Sequence, residues 1–380
     1  MGKTILVLGG GVGGLVTSNL LRKKLGKEHK ITIVDKNPMH VFSPSFLWMM
    51  LSLRKPEKIQ RGLSVLNKKN INFLNSEIKA IDVKKKCVKT DKETIAYDYL
   101  VISLGAELIP EAVKGLRESG YNLYDLNDVI KLENVVKEFS EGKVVILISK
   151  TPFKCPAAPY EAAFLLDYYF NKKGIRSKIG IEVYTPETLP MPVAGSDIGN
   201  SIKRMLLERN VTFNPEHNVA SVNNRTVLFE NGKSANFDLL IYVPPHVAPK
   251  VIRDSQLIDE SGWISVDPKT LKTQFENVYA IGDIASIKLS DGKMLPKAGV
   301  FAHFEAEVIA NNIAAEILGK HSLKEFDGKG YCFLELGYGK SGYASGNFYS
   351  SPRKIKMKKP GRIWHWGKIL FEKHWMRKWF

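Results

Sequence analysis

The chain of 380 residues lacks features that mark several common classes of protein. It has no run of about 18 apolar residues, so no segment is expected to span a bilayer as a helix. Three cysteines are too few for the disulfide framework of a secreted domain but enough for one reactive pair. Met1 is followed almost at once by an apolar run at residues 5–8, which leaves no room for a cleaved signal peptide. We therefore expect a protein kept inside the cell, and we predict no metal site.

Acidic residues are scarce: the net charge is +17, and much of the excess lies in residues 352–380. This tail holds ten Lys or Arg against one acid, Glu372. It also holds four of the six tryptophans, Trp364, Trp366, Trp375 and Trp379. Indole rings among cations suit membrane headgroups, whereas a nucleic-acid arm rarely needs so many large apolar side chains. We predict a peripheral protein of the cell membrane that docks on anionic lipid and binds no nucleic acid.

The alternative is a tail packed on its own domain or in the interface of a homo-oligomer. Drawn as a helix, the tail has two apolar stripes rather than one, so its amphipathic character is imperfect. One stripe comprises Ile363, Trp366, Ile369, Leu370, Met376 and Phe380, and the other comprises Trp364, Phe371, Trp375 and Trp379.

A glycine pattern near the N-terminus lies in a specific setting. Residues 5–8 predict a buried strand, residues 15–25 predict a helix, and Gly9, Gly11 and Gly14 lie between them or at the helix start. A second strand at residues 31–34 ends in Asp35. Such glycines let the backbone approach a pyrophosphate at the helix N-terminus, and the acid accepts ribose hydroxyls. The segment therefore predicts a site for an adenine dinucleotide.

A second unit of this kind starts at residues 143–148 but lacks the glycines. The next residues, 149–163, read SKTPFKCPAAPYEAA, and Pro152 has no N–H to offer a phosphate. We predict that an NADH site has been lost here. In its place stand Cys155 and, six residues later, Glu161, which we predict to move protons rather than to be a solvated surface acid.

Cys332 is the candidate partner of Cys155 in a reactive pair. The alternative is that both are buried, unreactive thiols, since free cysteine is often buried. Cys87 lies in the polar stretch KKKCVKT and is predicted to be an ordinary strand residue.

Three later stretches resemble the two-dinucleotide-domain flavoproteins. Residues 97–106 and 237–246 are similar to the closing strands of their two domains, and residues 278–283, VYAIGD, are similar to their second FAD fingerprint. The resemblance implies an α/β fold with two Rossmann-like domains and a basic, Trp-rich tail. Residues 1–110 and 250–325 are expected to bind FAD, 111–249 to form the inserted domain with Cys155, and 326–380 to form the C-terminal segment.

Several motifs narrow the resemblance to the sulfide:quinone oxidoreductases, over nearly the whole chain. They are GGGVGG, FSPSFLW (42–48), CPAAPYE (155–161), PPH (244–246), LPKAG (295–299), YC (331–332) and KILFEK (368–373). The cysteine and tail motifs are specific, while the others are shared with type II NADH dehydrogenases. The resemblance implies hydrogen sulfide as donor and a membrane quinone as acceptor.

The same resemblance assigns roles to individual residues. A Cys155–Cys332 disulfide is expected to be attacked by hydrosulfide, leaving a persulfide, with Lys154 lowering the pKa of the leaving thiol. Besides the N-terminal glycines and Asp35, the expected FAD contacts are Lys36, Pro44, Ile78, Gly105, Gly282, Asp283, Lys297 and Gly299. The expected quinone contacts are Tyr331, Phe333, Lys368 and Phe371.

The chain departs from many members of that family because residues 105–152 contain no further cysteine, which favours a mechanism with one pair. Two related functions stay open. One is a flavoprotein subunit of the flavocytochrome c type, which passes electrons to a cytochrome and normally needs an export signal. The other is a type II NADH:quinone dehydrogenase, which the missing glycines disfavour. A membrane scaffold without activity would explain the tail but not the paired cysteines.

Overall fold

The computed structural model describes residues 2–380, and helices are spread over the whole of that span. Their bounds are α1 Val12–Lys24, α2 Phe46–Met49, α3 Leu116–Ser119, α4 Leu126–Glu138, α5 Ala158–Lys172, α6 Ser196–Leu207, α7 Lys250–Arg253, α8 Gly299–Ile317 and α9 Arg362–Lys378. Among the described residues, none of these helices has the length and apolar character that a bilayer-spanning helix requires.

The first parallel sheet combines early and late parts of the chain. Its five strands lie in the spatial order Val278–Ala280, Tyr99–Ile102, Thr4–Leu8, Lys30–Asp35 and Asn72–Asn75. The central strand, Thr4–Leu8, is buried at four of its five positions, as expected for a parallel sheet covered on both faces. One covering layer is formed by α1, which packs along α8. The strands predicted at residues 5–8 and 31–34 are confirmed.

The second parallel sheet repeats the same arrangement in the middle of the chain. Its strands lie in the order Tyr121–Asn122, Leu239–Val243, Gly142–Ile148, Ile179–Tyr184 and Val211–Asn214. In both sheets the first strand of the unit is central, with the closing strand on one side and the second strand on the other. The α/β fold with two Rossmann-like units is therefore confirmed.

Each unit also carries a three-stranded antiparallel sheet before its closing strand. The first comprises Ile78–Asp82, Cys87–Thr90 and Thr94–Ala96, and the second comprises Val219–Asn223, Thr226–Phe229 and Ser234–Asn236. Cys87 begins a strand, as predicted. Two shorter pairs join Met39–Val41 to Gln60–Gly62 and Ile264–Ser265 to Ala285–Ser286.

The two connections between the units are hydrogen-bonded to each other. Glu107–Leu108, which leaves the first unit, pairs antiparallel with His246–Val247, which returns to it. The Ile109 N–H also donates to the Pro245 carbonyl at 3.0 Å. The chain therefore enters and leaves the second unit at one place.

The C-terminal segment forms an antiparallel sheet followed by α9. The strands are Lys329–Glu335, Ser341–Asn347 and Lys354–Gly361. Trp375 and Trp379 of α9 are buried against the first unit, with the Trp379 ring 5.6 Å from that of His303. This predicted stripe therefore packs on the chain itself: Trp375 and Trp379 meet the first unit, and Trp364 stacks on Tyr343 of the C-terminal sheet.

The other stripe of α9 faces away from the protein over most of its length. Ile363, Trp366 and Leu370 are 71%, 60% and 62% exposed. Met376, which the helical drawing placed in this stripe, is buried. The helix therefore has an apolar inner face and a separate, exposed apolar row.

Candidate active site

The glycine loop at the start of α1 is tightly packed at Gly9 and Gly14 and has free space beside Gly11. Gly9 has a φ of +98°, a conformation that favours glycine. A Cβ on Gly14 would lie 1.9 Å from the Gly9 carbonyl oxygen, so only glycine lets the helix approach the strand this closely. A Cβ on Gly11 would meet no atom within 4 Å, so the loop has space beside it at the helix N-terminus.

Asp35 holds this loop from the end of the second strand. Its Oδ2 accepts a hydrogen bond from the Gly10 N–H at 2.6 Å, and its Oδ1 accepts one from the Asn37 N–H at 2.7 Å. Burial raises the pKa of Asp35, and these two N–H groups oppose the rise. The carboxylate therefore shapes the loop itself, while its contact with a ribose stays a prediction.

Three further residues expected near a cofactor lie around the same edge. Lys36 is exposed after Asp35, Pro44 is exposed in the 3-10 helix Ser43–Ser45, and Ile78 is partly buried where its strand begins. Gly105 has a φ of +67° and open space at its Cβ position. Their roles remain predictions.

The second fingerprint is organised around a buried lysine. Lys297 donates from Nζ to the Asp283 carbonyl at 2.6 Å and lies 3.5 Å from the centre of the Trp263 ring. Burial lowers the pKa of Lys297 to about 8. Two residues after Lys297, Gly299 begins α8. The turn that carries Gly282 and Asp283 is thus fixed by a side chain from the next connection.

Glu305, nearly two turns into α8, supports the same turn and was not anticipated from the sequence. Its carboxylate accepts a hydrogen bond from the Gly282 N–H at 2.6 Å, and burial raises its pKa to about 8. Gly282, Lys297 and Glu305 also line one small pocket. No local sequence pattern identifies Glu305, because its partner lies 23 residues earlier.

Cys155 joins the second unit to this fingerprint. Its backbone N–H donates to the Lys297 carbonyl at 2.7 Å, and its own carbonyl accepts from the Tyr124 hydroxyl at 3.1 Å. Its φ is +47°, which is unusual for a residue with a side chain. The loop that follows the strand Gly142–Ile148 therefore presents a held thiol where the first unit has its open glycine loop.

Cys332 lies on the strand Lys329–Glu335, and its thiol donates to the Phe333 carbonyl at 3.2 Å. Burial, and then the charges of Cys155 and Glu161, raise the pKa of Cys332 well above its ordinary value. The structure thus places both thiols in one electrostatic neighbourhood. Both are free thiols, so the expected disulfide is not formed in this structure.

The expected effect of Lys154 on the thiol is not what the structure shows. Burial, followed by the charge of Glu161, raises the pKa of Cys155 to about 12, and the cation that opposes this rise is Lys368. Lys154 instead lies over the Tyr124 ring, with its Nζ 5.7 Å from the centroid. The sequence suggested Lys154 because it is adjacent, but tertiary packing brings in a lysine from the tail.

Glu161 and Lys368 form a buried ion pair between α5 and α9. The Lys368 Nζ lies 3.0 Å from Glu161 Oε1, which also accepts a hydrogen bond from the Glu335 N–H at 2.8 Å. Burial raises the pKa of Glu161, while Lys368 opposes the rise. Burial disfavours the charge of Lys368, yet Glu161 and Glu335 raise its pKa. Glu161 is therefore not a solvated surface acid.

Aromatic rings expected to contact a quinone do lie together. The Phe371 ring centre is 6.5 Å from those of Tyr331 and Phe333, and those two are 6.1 Å apart. Lys368, one turn before Phe371, points its ammonium to Glu161, and its Nζ is 5.0 Å from the centre of the Trp48 ring. The four residues share one region, where α9 meets the strand Lys329–Glu335.

His246 sits beside the cysteine loop and had no assigned role. Its Nδ1 lies 2.8 Å from the Pro244 carbonyl, and its ring makes an edge contact with Tyr124. The buried Nε2 has no hydrogen-bond partner among the described residues. Burial, with help from Lys154 and Lys297, lowers the pKa of His246 to about 3. A neutral imidazole therefore borders the site with one unused acceptor.

This combination of fold and site defines a class of redox protein with two dinucleotide-type units and a thiol pair. A family model described as pyridine nucleotide-disulphide oxidoreductase matches residues 3–306, and the chain belongs to that family.

The more specific resemblance is confirmed by individual relatives. The chain is 27% identical to the mitochondrial sulfide:quinone oxidoreductase of Mus musculus, covering 92% of this chain and 79% of that protein. It is 27% identical to the sulfide-quinone reductase of Aquifex aeolicus, covering 100% and 91%. The solved structure of the sulfide:quinone oxidoreductase from Aquifex aeolicus matches with a TM-score of 0.90 at 25% identity, covering 99% of this chain and 91% of that one.

Proposed function

We propose that this protein oxidises hydrogen sulfide and passes the electrons through FAD to a quinone. The observation that carries the proposal is that two partly buried thiols, Cys155 and Cys332, lie beside the buried Glu161–Lys368 pair, with Cys155 on the loop where the second unit would have a phosphate loop. The relatives named for this reaction support it over almost the full chain.

The residues of the first unit fit FAD. The helix N-terminus at Gly11 offers open space and positive backbone dipoles to a pyrophosphate, while Gly9 and Gly14 allow the required close packing. Lys297 would lie near the flavin, where its charge favours the reduced, anionic form. When bound, FAD supplies two-electron transfer between thiol chemistry and a quinone. In this assignment, residues 1–110 and 250–325 hold FAD, and 111–249 carry Cys155.

In the second unit, a hydrogen bond between two side chains takes up the position where the ribose of NADH would bind. Its strand Ile179–Tyr184 corresponds to Lys30–Asp35, and Glu187 lies just beyond that strand. The Glu187 carboxylate accepts a hydrogen bond from the Tyr160 hydroxyl at 2.8 Å, and burial raises its pKa to about 7. Tyr160 thus forms a hydrogen bond with the carboxylate that, in a nicotinamide enzyme of this fold, would be free to bind a ribose hydroxyl.

The thiol pair can carry sulfur exchange with a balanced change of bonds. Hydrosulfide attacks one sulfur of the oxidised Cys155–Cys332 pair, one S–S bond breaks as another forms, and the products are a persulfide and a thiolate. Lys368 is the cation placed to stabilise that thiolate. Bound FAD would supply the two-electron oxidation that joins this persulfide and thiolate again through an S–S bond, with release of one proton. A second hydrosulfide could then attack, so each cycle would add one sulfur to a polysulfide. The quinone is reduced near Tyr331, Phe333 and Phe371, with Glu161 and Lys368 as the proton-holding pair beside it.

The choice of electron donor is the first test. We expect anaerobic sulfide to bleach the flavin absorbance of the purified protein rapidly, on the time scale that stopped flow resolves. NADH at equal concentration should bleach it far more slowly. The reason is that the second unit has no glycine loop and a closed ribose position. Stopped-flow absorbance measures both, and rapid bleaching by NADH would favour the type II NADH dehydrogenase function instead. Reoxidation by a c-type cytochrome but not by a quinone would favour the flavocytochrome-like alternative.

Docking on a membrane explains the exposed face of α9. Ile363, Trp366 and Leu370 form an exposed apolar row, and the cations Arg362 and Lys373 are exposed on the same helix. Indoles and aliphatic side chains bury well at the headgroup boundary, and each cation near an anionic surface adds about 1 kcal/mol. Peripheral attachment to the cell membrane would bring a lipid-soluble quinone to the aromatic cluster.

We expect the double substitution Trp366→Glu and Leu370→Glu to weaken binding to anionic liposomes by about a hundredfold or more, because each buried apolar side chain contributes roughly 1.5–3 kcal/mol. Both positions are exposed, so thermal stability should change little. Sedimentation with liposomes measures the effect. The matched control is Leu323→Glu, at a leucine that is 64% exposed outside α9. Equal loss of binding in the control, or unchanged binding in the double variant, would rule out this face as the membrane contact.

A further inference from the structure

A second buried carboxylate, Glu335, lies behind the Glu161–Lys368 pair. It ends the strand that carries Cys332, and it is 1% exposed. The Ser341 hydroxyl donates to Glu335 Oε1, and the Nδ1 atom of His365 lies 3.0 Å from Oε2. The mechanism derived above uses neither Glu335 nor His365. A buried acid with an imidazole partner needs a separate explanation.

Both residues are joined to the ion pair. The Glu335 backbone N–H donates to the same Glu161 oxygen that binds Lys368. His365 and Lys368 lie one turn apart on α9, so their side chains share one side of that helix. The Trp48 and His365 rings are nearly perpendicular, with centres 6.2 Å apart, and the Trp48 ring centre is also 5.0 Å from the Lys368 Nζ. The four ionisable groups therefore form one continuous cluster.

The charge of the cluster favours one added proton. Its acids are Glu161, Glu335 and the buried Glu372, which is paired with Arg54 at 2.9 Å. Arg54 also lies over the Trp48 ring, 4.4 Å from its centre. Two cations, Lys368 and Arg54, thus face three carboxylates. A proton shared between His365 and Glu335 brings the sum to zero, and an uncompensated charge in such a buried place is costly.

The residues of the cluster differ in their access to water. The His365 side chain is 24% exposed, while those of Glu335 and Glu161 are 1% and 3% exposed. An imidazole at the surface exchanges protons with water near neutral pH more readily than any other ordinary side chain. The cluster therefore runs from a water-accessible histidine to a buried carboxylate beside the thiols and the aromatic rings.

We infer that His365 and Glu335 form the proton-entry path for quinone reduction, and this rests on the proposed function. A quinone takes up two electrons and two protons to become a quinol. The electrons come from the reduced flavin, and protons reach the quinone oxygens through the Glu161–Lys368 pair. After that pair has released a proton, His365 takes one from water, and Glu335 holds it beside Glu161 and Lys368. Both are positioning residues, since they act through the pair.

The test separates quinone reduction from sulfide oxidation. The flavin of the holoenzyme is reduced photochemically without sulfide, and its reoxidation by a water-soluble short-chain quinone is followed by stopped flow across pH. His365→Asn is the main variant, because an asparagine amide can still donate to Glu335 but carries no titrating proton. His374→Asn is the matched control, since His374 is an exposed histidine on the same helix.

We expect His365→Asn to slow flavin reoxidation about tenfold or more, because the side chain at this position then no longer passes a proton from water to Glu335. Added imidazole should restore the rate, which a structural defect would not allow. Reduction by sulfide and flavin content should stay as in the wild type. The control should match the wild type in every measurement.

Three outcomes would overturn the inference: an unchanged reoxidation rate, a loss that imidazole does not relieve, or an equal loss in the sulfide half-reaction. If His365→Asn binds no flavin, Glu335→Gln decides the question by the same measurement, with an unchanged rate counting against the path. Failure of the proposed function is distinguishable, because it shows as absent bleaching by sulfide in the wild type.

Discussion

Cys155→Ser and Cys332→Ser each lose sulfide-dependent quinone reduction by roughly a thousandfold or more, because serine neither forms the disulfide nor carries a persulfide. Both variants keep their flavin, since neither side chain belongs to the glycine loop or to the second fingerprint. The measurements are quinol formation with sulfide and the flavin absorbance of the purified protein. Photochemically reduced flavin in these variants should still be reoxidised by quinone.

Cys87→Ser is the matched control for these thiol variants. Cys87 begins the central strand of the small antiparallel sheet Ile78–Asp82, Cys87–Thr90 and Thr94–Ala96, which contains neither member of the Glu161–Lys368 pair. It should keep most of the activity. Turnover near the wild-type value in either Cys155→Ser or Cys332→Ser would show that the assigned pair is wrong.

Lys368→Met produces the second large effect, on stability as well as on activity. The substitution removes the cation from a buried pair and leaves Glu161 without compensation, which costs about 3–5 kcal/mol. Quinone reduction should be lost at the same time, because the proton-holding pair no longer exists. Denaturant unfolding and stopped-flow reoxidation measure the two losses.

The instability of this variant depends on pH in a defined direction. Burial raises the pKa of Glu161, so without Lys368 the folded state binds its proton more tightly than the unfolded state does. The free energy of unfolding therefore falls as pH rises from the unfolded pKa of about 4.3 through the raised folded value. A variant equally unstable at low and at neutral pH would contradict this.

Two comparisons isolate the charge from the packing in this test. The double variant Lys368→Met with Glu161→Gln should regain most of the stability, since neither member of the pair then carries a charge, but none of the quinone reduction. Lys373→Met, at an exposed lysine of the same helix, should change stability by less than about 0.5 kcal/mol. If the double variant is as unstable as the single one, packing rather than charge explains the loss.

The parts of the site that depend on local backbone needs could be predicted from sequence. Gly9 has a positive φ, and Gly14 packs against the Gly9 carbonyl. Both positions therefore favour glycine, and the two glycines are recognisable in the sequence by their fixed spacing. The absence of such glycines after the strand Gly142–Ile148 was equally visible. The N-terminal strands and helix were predictable for the same reason, since each element carries its own periodicity, while the fold class with two units followed from the resemblance to two-dinucleotide-domain flavoproteins.

The electrostatic parts could not be predicted in this way. Lys154 is the sequence neighbour of Cys155, yet the cation that acts on the thiol comes from residue 368, because α9 packs back onto α5. Glu305, Glu335 and His365 likewise meet their partners only after the units have packed. Sequence periodicity says which face of a helix is buried, but it does not name the partner across the interface.

Helix α9 shows both what could be predicted from the sequence and what could not. Its two apolar stripes were visible, and so were the two readings of a membrane dock and a packed segment. The structure assigns one inner and one outer row to a single helix, with Trp375 inside and Trp366 outside. The helical drawing separated Trp366 from Trp375 but did not say which stripe is buried, because burial depends on what α9 meets in the first unit.

The late edge strand of the first sheet sets an order for folding during synthesis. Tyr99–Ile102 pairs on one side with Val278–Ala280, so that side stays open until about 180 further residues have left the ribosome. The second sheet needs nothing beyond Val243, so it can be complete while the first still lacks a strand. The nascent chain therefore contains a complete second sheet while the first sheet still lacks its last strand. The exposed edge of Tyr99–Ile102 is the point at which a chaperone would be most useful.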